Sequence, residues 1–227
     1  MINTKKIISG AVSLLFIVVL LTFRNTSAQS ISQPIITWQA NNFFPSDYAG
    51  KDLPSPGTRV TLSLALLRGG KLIDLSGTTI HWYVDGNIIS NSSAPTTLFV
   101  VKKPAGDSVF IRTVVEFDGV SLENSTRIPV VAPSLVVPIL YPGNLVPSNS
   151  DLYLKALPFF FNISSINDIG FSWKIGDRDI PQTSENGLVV KVGAPAESQK
   201  NILVSAFGQN NKNPLEVAKE LIQLKIY

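Results

Sequence analysis

Apolar and polar residues alternate with a period of two in short runs along most of this chain. Val60, Leu62, Leu64 and Leu66 are separated by Thr61, Ser63 and Ala65, and Ile80, Trp82 and Val84 by His81 and Tyr83. Val109, Ile111, Val115 and Phe117 share a row with Thr113, while Arg112 and Glu116 point the other way. Later come Leu152-Leu154-Ala156, Phe171-Trp173-Ile175, Leu188-Val190-Val192, Ile202-Val204-Ala206 and Ile222-Leu224-Ile226. Side chains of a strand alternate between its faces, so each row is the buried side of one strand. The runs are divided by Gly, Pro, Asn, Asp and Ser, and Asp85-Gly86 and Gly176-Asp177 fall where a hairpin needs a tight turn. Pro214 to Gln223 is the one helix-prone stretch of the mature part, but Ile222, Leu224 and Ile226 assign its end to a last strand. The pattern predicts an all-β protein.

The rows also repeat. Ile80, Trp82, Val84 and Ile89 return as Phe171, Trp173, Ile175 and Ile180, and Val101, Pro104 and Ile111 as Val192, Pro195 and Ile202, all at an offset of 91 residues. Two tandem antiparallel sandwiches are therefore expected: the first over residues 55–132 joined by 29–54, the second over residues 133–227. Residues 29–54 are expected to carry a first strand and an irregular stretch from Trp38 to Leu53. The joint at Val131-Ala132-Pro133-Ser134 is too short for independent tumbling.

Ahead of this lies an apolar run from Ile7 to Leu21, preceded by Lys5 and Lys6 and followed by Arg24. Thr26-Ser27-Ala28 supplies the small residues of a cleavage site, so residues 1–28 read as a signal peptide or, if uncut, as a hydrophobic helical anchor. Either way the remainder is exported, to a periplasmic, extracellular or cell-surface location, and touches membrane only through this segment. With no sorting motif or apolar tail at Tyr227, attachment is expected through the N-terminal segment or a partner alone.

The leader also corrects the charge. The chain has 19 Lys+Arg against 16 Asp+Glu, for a net +3 and a pI near 9.1. Lys5, Lys6 and Arg24 all precede Gln29, and without them 16 basic residues face 16 acidic ones. No clustered positive face remains, so nucleic-acid binding is not expected. The chain holds no cysteine. That excludes disulfides, thiolate metal sites and a cysteine nucleophile, so each unit of about 95 residues must rest on its apolar core, which exceeds the minimum of roughly 40–60 for unaided folding.

Trp82-Tyr83-Val84-Asp85-Gly86-Asn87-Ile88-Ile89 resembles strand C and the following hairpin of immunoglobulin-like domains, in which a Trp fills the space between sheets. Gly106-Asp107-Ser108 is similar to the turn entering strand F, and Leu64 and Thr113 stand where the family's inter-sheet cysteines would be. The cysteine pair and the corner tyrosine are absent, as is common in the bacterial Ig-like and PKD-like modules of exported proteins that the chain resembles. The resemblance implies tandem Ig-like sandwiches organised around Trp82 and Trp173, and a binding or spacer role without chemistry.

Candidate chemistry is thin. His81 is the single histidine and lies opposite the buried row, with no nucleophile motif near it and no second imidazole for zinc. Asn167-Asp168 and Asp177-Arg178-Asp179 flank the Trp173 strand, but carboxylates spaced for calcium do not converge in the sequence. No catalytic, cofactor or metal residue is assigned. Asn91, Asn124 and Asn162 head glycosylation acceptor patterns. Trp38, Phe43, Phe44 and Tyr48 form an aromatic cluster interleaved with amides, suited either to a protein partner or surface glycan or to plugging one end of the sandwich. Leu157-Pro158-Phe159-Phe160-Phe161 lacks alternation, as expected for a segment covered on both faces or buried against the first unit. The expected function is a non-enzymatic exported binding, spacer or assembly module of the cell envelope. Two alternatives are a carbohydrate-binding accessory module and a periplasmic chaperone-like protein that binds subunits by strand donation, for which Pro129 interrupts the edge ending at Arg127-Ile128-Pro129-Val130.

Overall fold

The computed structural model describes residues 33–183, 185–194 and 201–227. The leader over 1–28, the four residues after it and Pro195 of the repeat lie outside them. The first nine strands are β1 (Ile35–Asn41), β2 (Arg59–Ala65), β3 (Leu67–Arg68), β4 (Lys71–Leu72), β5 (Thr79–Val84), β6 (Asn87–Ser92), β7 (Thr96–Val100), β8 (Ser108–Phe117) and β9 (Val120–Pro129). A sheet of order β1-β2-β7 faces one of order β6-β5-β8-β9. In immunoglobulin lettering that is A-B-E against C′-C-F-G, so the first sandwich is Ig-like by its strand order.

The second half contributes β10 (Ser134–Val136), β11 (Leu145–Val146), β12 (Ser150–Lys155), β13 (Leu157–Phe159), β14 (Ile169–Ile175), β15 (Arg178–Thr183), β16 (Gly187–Val192), β17 (Asn201–Asn210) and β18 (Asn213–Ile226). Here β11-β18-β17-β14-β15 form one sheet, faced by the pairs β12-β16 and β10-β13. β11 runs parallel to β18, whereas the other ladders are antiparallel. The whole of Asn213–Ile226 is strand despite its helix-prone residues, because the tertiary ladder to β17 overrides local propensity.

The buried rows follow the alternation. One apolar cluster runs from Ala40 to Val130 around Trp82, the other from Leu135 to Ile226 around Trp173. Trp82 is fully buried and Trp173 is 3% exposed. Trp82 pairs with Thr113 across β5 and β8, and Trp173 with Ala206 across β14 and β17. Val84 thus faces Ile111, while Ile175 faces Val204. The second ladder is displaced by two residues from the 91-residue offset, a step that keeps every side chain on its original face. Asp85 and Gly86 both have positive φ, at 49° and 82°, the combination a two-residue hairpin of matching twist requires.

One expectation is corrected. The irregular stretch begins after Asn41, not at Trp38, because β1 pairs with β2 along its full length and Trp38 faces Leu62 in that ladder.

Candidate functional site: the joint between the sandwiches

The segment after β1 does not fold back on the first sandwich alone; it reaches the second. Asn42 Nδ2 donates to Leu53 O at 2.7 Å and closes the base of the loop. Phe43 N then donates to Phe161 O at 2.8 Å, and Phe160 N to Phe43 O at 2.7 Å. These two bonds make an antiparallel bridge between segments 118 residues apart. Phe160 has φ 62°, in the left-handed region, a conformation that costs a non-glycine residue about 1 kcal/mol or more. The turn sends Phe161 into the second core, fully buried, and leaves Phe160 for the joint.

There the rings meet. Tyr48 lies 5.4 Å from Phe159 and 5.9 Å from Phe160, edge to face in both cases, and 5.7 Å from Phe44. Edge-to-face pairs at such distances contribute about 0.5–1.5 kcal/mol each beyond burial. Gly50 permits this, since a Cβ there would sit 2.3 Å from the Tyr48 ring. Trp38 stands apart, half-buried against the first core, with the Lys51 ammonium 3.8 Å above its ring. Of the four aromatics singled out in the sequence, the structure brings Phe43, Phe44 and Tyr48 to the joint. The rings of Tyr48, Phe159 and Phe160 pack on one another, edge to face or tilted, rather than being laid out as a platform.

Beside the rings lies a polar network absent from the sequence reading. Thr58 Oγ1 donates to Asn162 Oδ1 at 2.6 Å and accepts from Ser55 N at 2.9 Å. Asn162 Nδ2 is shared among Ser55 Oγ at 3.1 Å, Pro56 O at 2.9 Å and Glu216 Oε1 at 2.8 Å. Asn162 N also donates to Glu216 Oε1 at 2.8 Å, and Asn210 Nδ2 donates to Glu216 Oε2. Glu216, Asn210, Ser55 and Thr58 are all buried. No basic group pairs with Glu216 among the described residues; its carboxylate is held by amides alone, through charge-assisted bonds stronger than neutral ones. On the other side of the loop, Val131 N donates to Pro54 O at 2.9 Å and ties the linker to the same joint.

Asn162 was legible only as a glycosylation acceptor, a use its hydrogen bonds preclude in the folded state. Glu216 carried only the signal of a helix former. The remaining candidates are dispersed. His81 is half-buried on β5 beside Asn91 and Val114, and its imidazole makes no hydrogen bond or ion pair among the described residues. Asp168 and the Asp177–Asp179 pair sit at opposite ends of the seven-residue β14, roughly 20 Å apart at about 3.3 Å per residue. The Lys212 ammonium, 2.8 Å from Asp168, holds that carboxyl below its usual range. A cleft of about 400 Å³ opens beside the joint between Asn41, Arg59, Asn162 and Lys212.

No family model matches this chain, and no curated protein matches it. Solved structures similar to it include three N-terminal domains of the Highly Immunogenic Outer Capsid protein of bacteriophage RB49, at 15% identity and TM-score 0.44 over 86% of this chain and 59% of that one. The fibronectin(III)-like modules of Clostridium thermocellum CbhA are 16% identical, with TM-score 0.29 over 85% of this chain and 93% of that one. The N-terminal four Ig domains of Dscam1 isoform 4.44 are 14% identical, with TM-score 0.32 over 84% and 46%. The chain thus spans less than two thirds of the first and third. At TM-scores below 0.5 these likenesses carry no argument, and the fold rests on the strand order described above.

Proposed function

We propose that this chain is a non-enzymatic, exported two-domain module of the cell envelope, which holds two Ig-like sandwiches in one fixed relation as a spacer or binding unit. The observation that carries this reading is the joint. A backbone bridge, a ring cluster and a buried hydrogen-bond network all connect the halves, more than a flexible linker between independent beads requires. The leader over 1–28 supports export. The matched rows around Trp82 and Trp173, and the like pairing of β2 with β7 and β12 with β16, support descent from one duplicated unit divided near Val131–Ser134.

The test uses the absence of native cysteine. Spin labels on Ser121→Cys and Lys225→Cys, one per domain, should give a single narrow distance distribution, and Tyr48→Ala with Asn162→Ala should broaden it. A distribution already broad in the otherwise native chain would overturn the fixed relation. Export is tested separately by the mass of the mature N-terminus from native cells, which should begin at Gln29.

A further inference from the structure

Sheet edges expose unpaired backbone groups, and most edges here carry a protective device. β9 bears Glu123 and Arg127 and ends in Pro129, β15 bears Arg178, Asp179 and Pro181, and β16 bears Lys191. β1 lies against β9, whose Asn124 side chain donates to Pro34 O. β7 and β6, on the two sides of one groove, differ: neither Thr96–Val100 nor Asn87–Ser92 has a charge or a proline. On β7 the outward residues Leu98 and Val100 are 59% and 47% exposed.

The ladder fixes which backbone groups are free. Leu64 N donates to Pro95 O and Val101 N to Thr58 O, so odd positions bond to β2. By alternation, Thr96, Leu98 and Val100 present their N–H and C=O groups to the open edge. Next to that edge, a groove of about 450 Å³ opens between β7 and β6, floored by Val84, Phe99 and Val109 and flanked by Ile89. The opening corresponds to the place a fourth strand takes in immunoglobulin sheets of order A-B-E-D. Its Val100 end is basic. Arg59 is the ladder partner of Val100, Lys102 lines the groove, and neither has an ion pair among the described residues.

We propose that β7 is a strand-addition site for an extended segment of another protein, with alternating apolar side chains and acidic residues at the end beside Val100. The segment hydrogen-bonds to the free groups of Leu98 and Val100, covers the groove with its apolar row and places its carboxylates between Arg59 and Lys102. Charge complementarity selects the partner, since two unpaired cations flank an otherwise neutral edge. This rests on the binding-module reading above and names its surface.

The experiment probes the full chain in mild detergent with synthetic eight-residue peptides of alternating valine and threonine. These carry two aspartates at one end or the other, or two lysines instead. Hydrogen exchange should slow at least tenfold at Leu98 and Val100 with one aspartate peptide and remain unchanged with the lysine peptide. Arg59→Glu with Lys102→Glu should weaken binding at least tenfold. Leu98→Lys, at an exposed position, should abolish protection without altering the unfolding midpoint. Equal protection by the lysine peptide, or indifference to charge reversal, would refute the site. So would self-association that Leu98→Lys disperses, which would make a second copy the occupant. No protection at β7 together with a narrow interdomain distance would sink this site and leave the two-domain reading standing; a broad distance with β7 protected would do the reverse.

Discussion

Asn162 is the residue whose removal should tell most about the joint. Its side chain accepts one hydrogen bond from Thr58 and shares donors among Ser55, Pro56 and Glu216. A neutral hydrogen bond contributes about 0.5–1.5 kcal/mol net, and a buried partner left unsatisfied costs about 1–3 kcal/mol. Ser55, Thr58 and Glu216 are buried, but Asn162 itself is only partly so, and water replaces some of what is lost. Asn162→Ala should therefore destabilise by about 2–4 kcal/mol, and the loss should appear in both domains because the partners lie on both. The assay is denaturant unfolding followed by tryptophan fluorescence, with a Trp173→Phe background reporting the first domain through Trp38 and Trp82 and a Trp38→Phe, Trp82→Phe background reporting the second through Trp173. Asn162→Asp should be worse than Asn162→Ala, since it sets a second carboxylate against Glu216. A loss below about 0.5 kcal/mol for Asn162→Ala, or one confined to the second domain, would refute the network as an interdomain clasp.

Other outcomes follow from the cores and the turns. Trp82→Ala and Trp173→Ala should each cost about 3–5 kcal/mol in the domain that holds them; a loss under about 1 kcal/mol at both, by denaturant unfolding, would contradict their burial. Thr113 Oγ1 is buried without a partner among the described residues, so Thr113→Val should stabilise by about 1 kcal/mol, and a clear loss in melting temperature would reveal a hidden partner for the hydroxyl. Burial works to raise the Asp85 carboxyl, but hydrogen bonds from Lys103 and Phe110 N and the charge of Lys103 outweigh it and hold it below the ordinary range. A depressed folded-state value gives stability that is present above the unfolded value, near ~3.9, and lost as pH falls through the folded one. Lys103→Met should shrink that acid-side loss in a stability–pH profile below about pH 4, and an unchanged profile would refute the contact.

What was legible in the sequence was whatever period two encodes. The rows at Val60–Leu66, Val109–Phe117 and Ile222–Ile226 report directly which side of each strand is wet. Asp85-Gly86 reports its turn because only a few residue types tolerate positive φ. The joint was not legible, for a physical reason. Thr58, Asn162 and Glu216 are separated by 104 and 54 residues, and an isolated polar residue carries no mark of a partner that far away. The missing alternation of the Phe159–Phe161 run signalled burial and left two covers open, of which packing against the first unit is the one seen at Tyr48; it could not name the residues that meet it, since alternation names a face and never its partner. Trp38 stands in a short period-two row with Ile36 and Ala40, and its ladder to Leu62 is ordinary strand; only the residues after Asn41 lack the alternation.

The directions of the terminal strands decide how this molecule carries tension. β1 runs towards the joint, ending at Asn41 beside it, and the 14-residue β18 runs away from it, with Glu216 at the joint and Ile226 about 33 Å beyond. A pull applied at Ile35 and Ile226 is therefore directed along the strands. The β1–β2 and β17–β18 ladders are loaded in shear, all their hydrogen bonds sharing the force at once instead of opening singly like a zipper. At the joint the same pull falls across the two bonds of the Phe43–Phe161 bridge and the side-chain bonds of Asn162 to Ser55, Pro56 and Thr58, scattered contacts rather than a continuous ladder. Stretched between two anchors, the molecule should yield at its waist before either sandwich gives way.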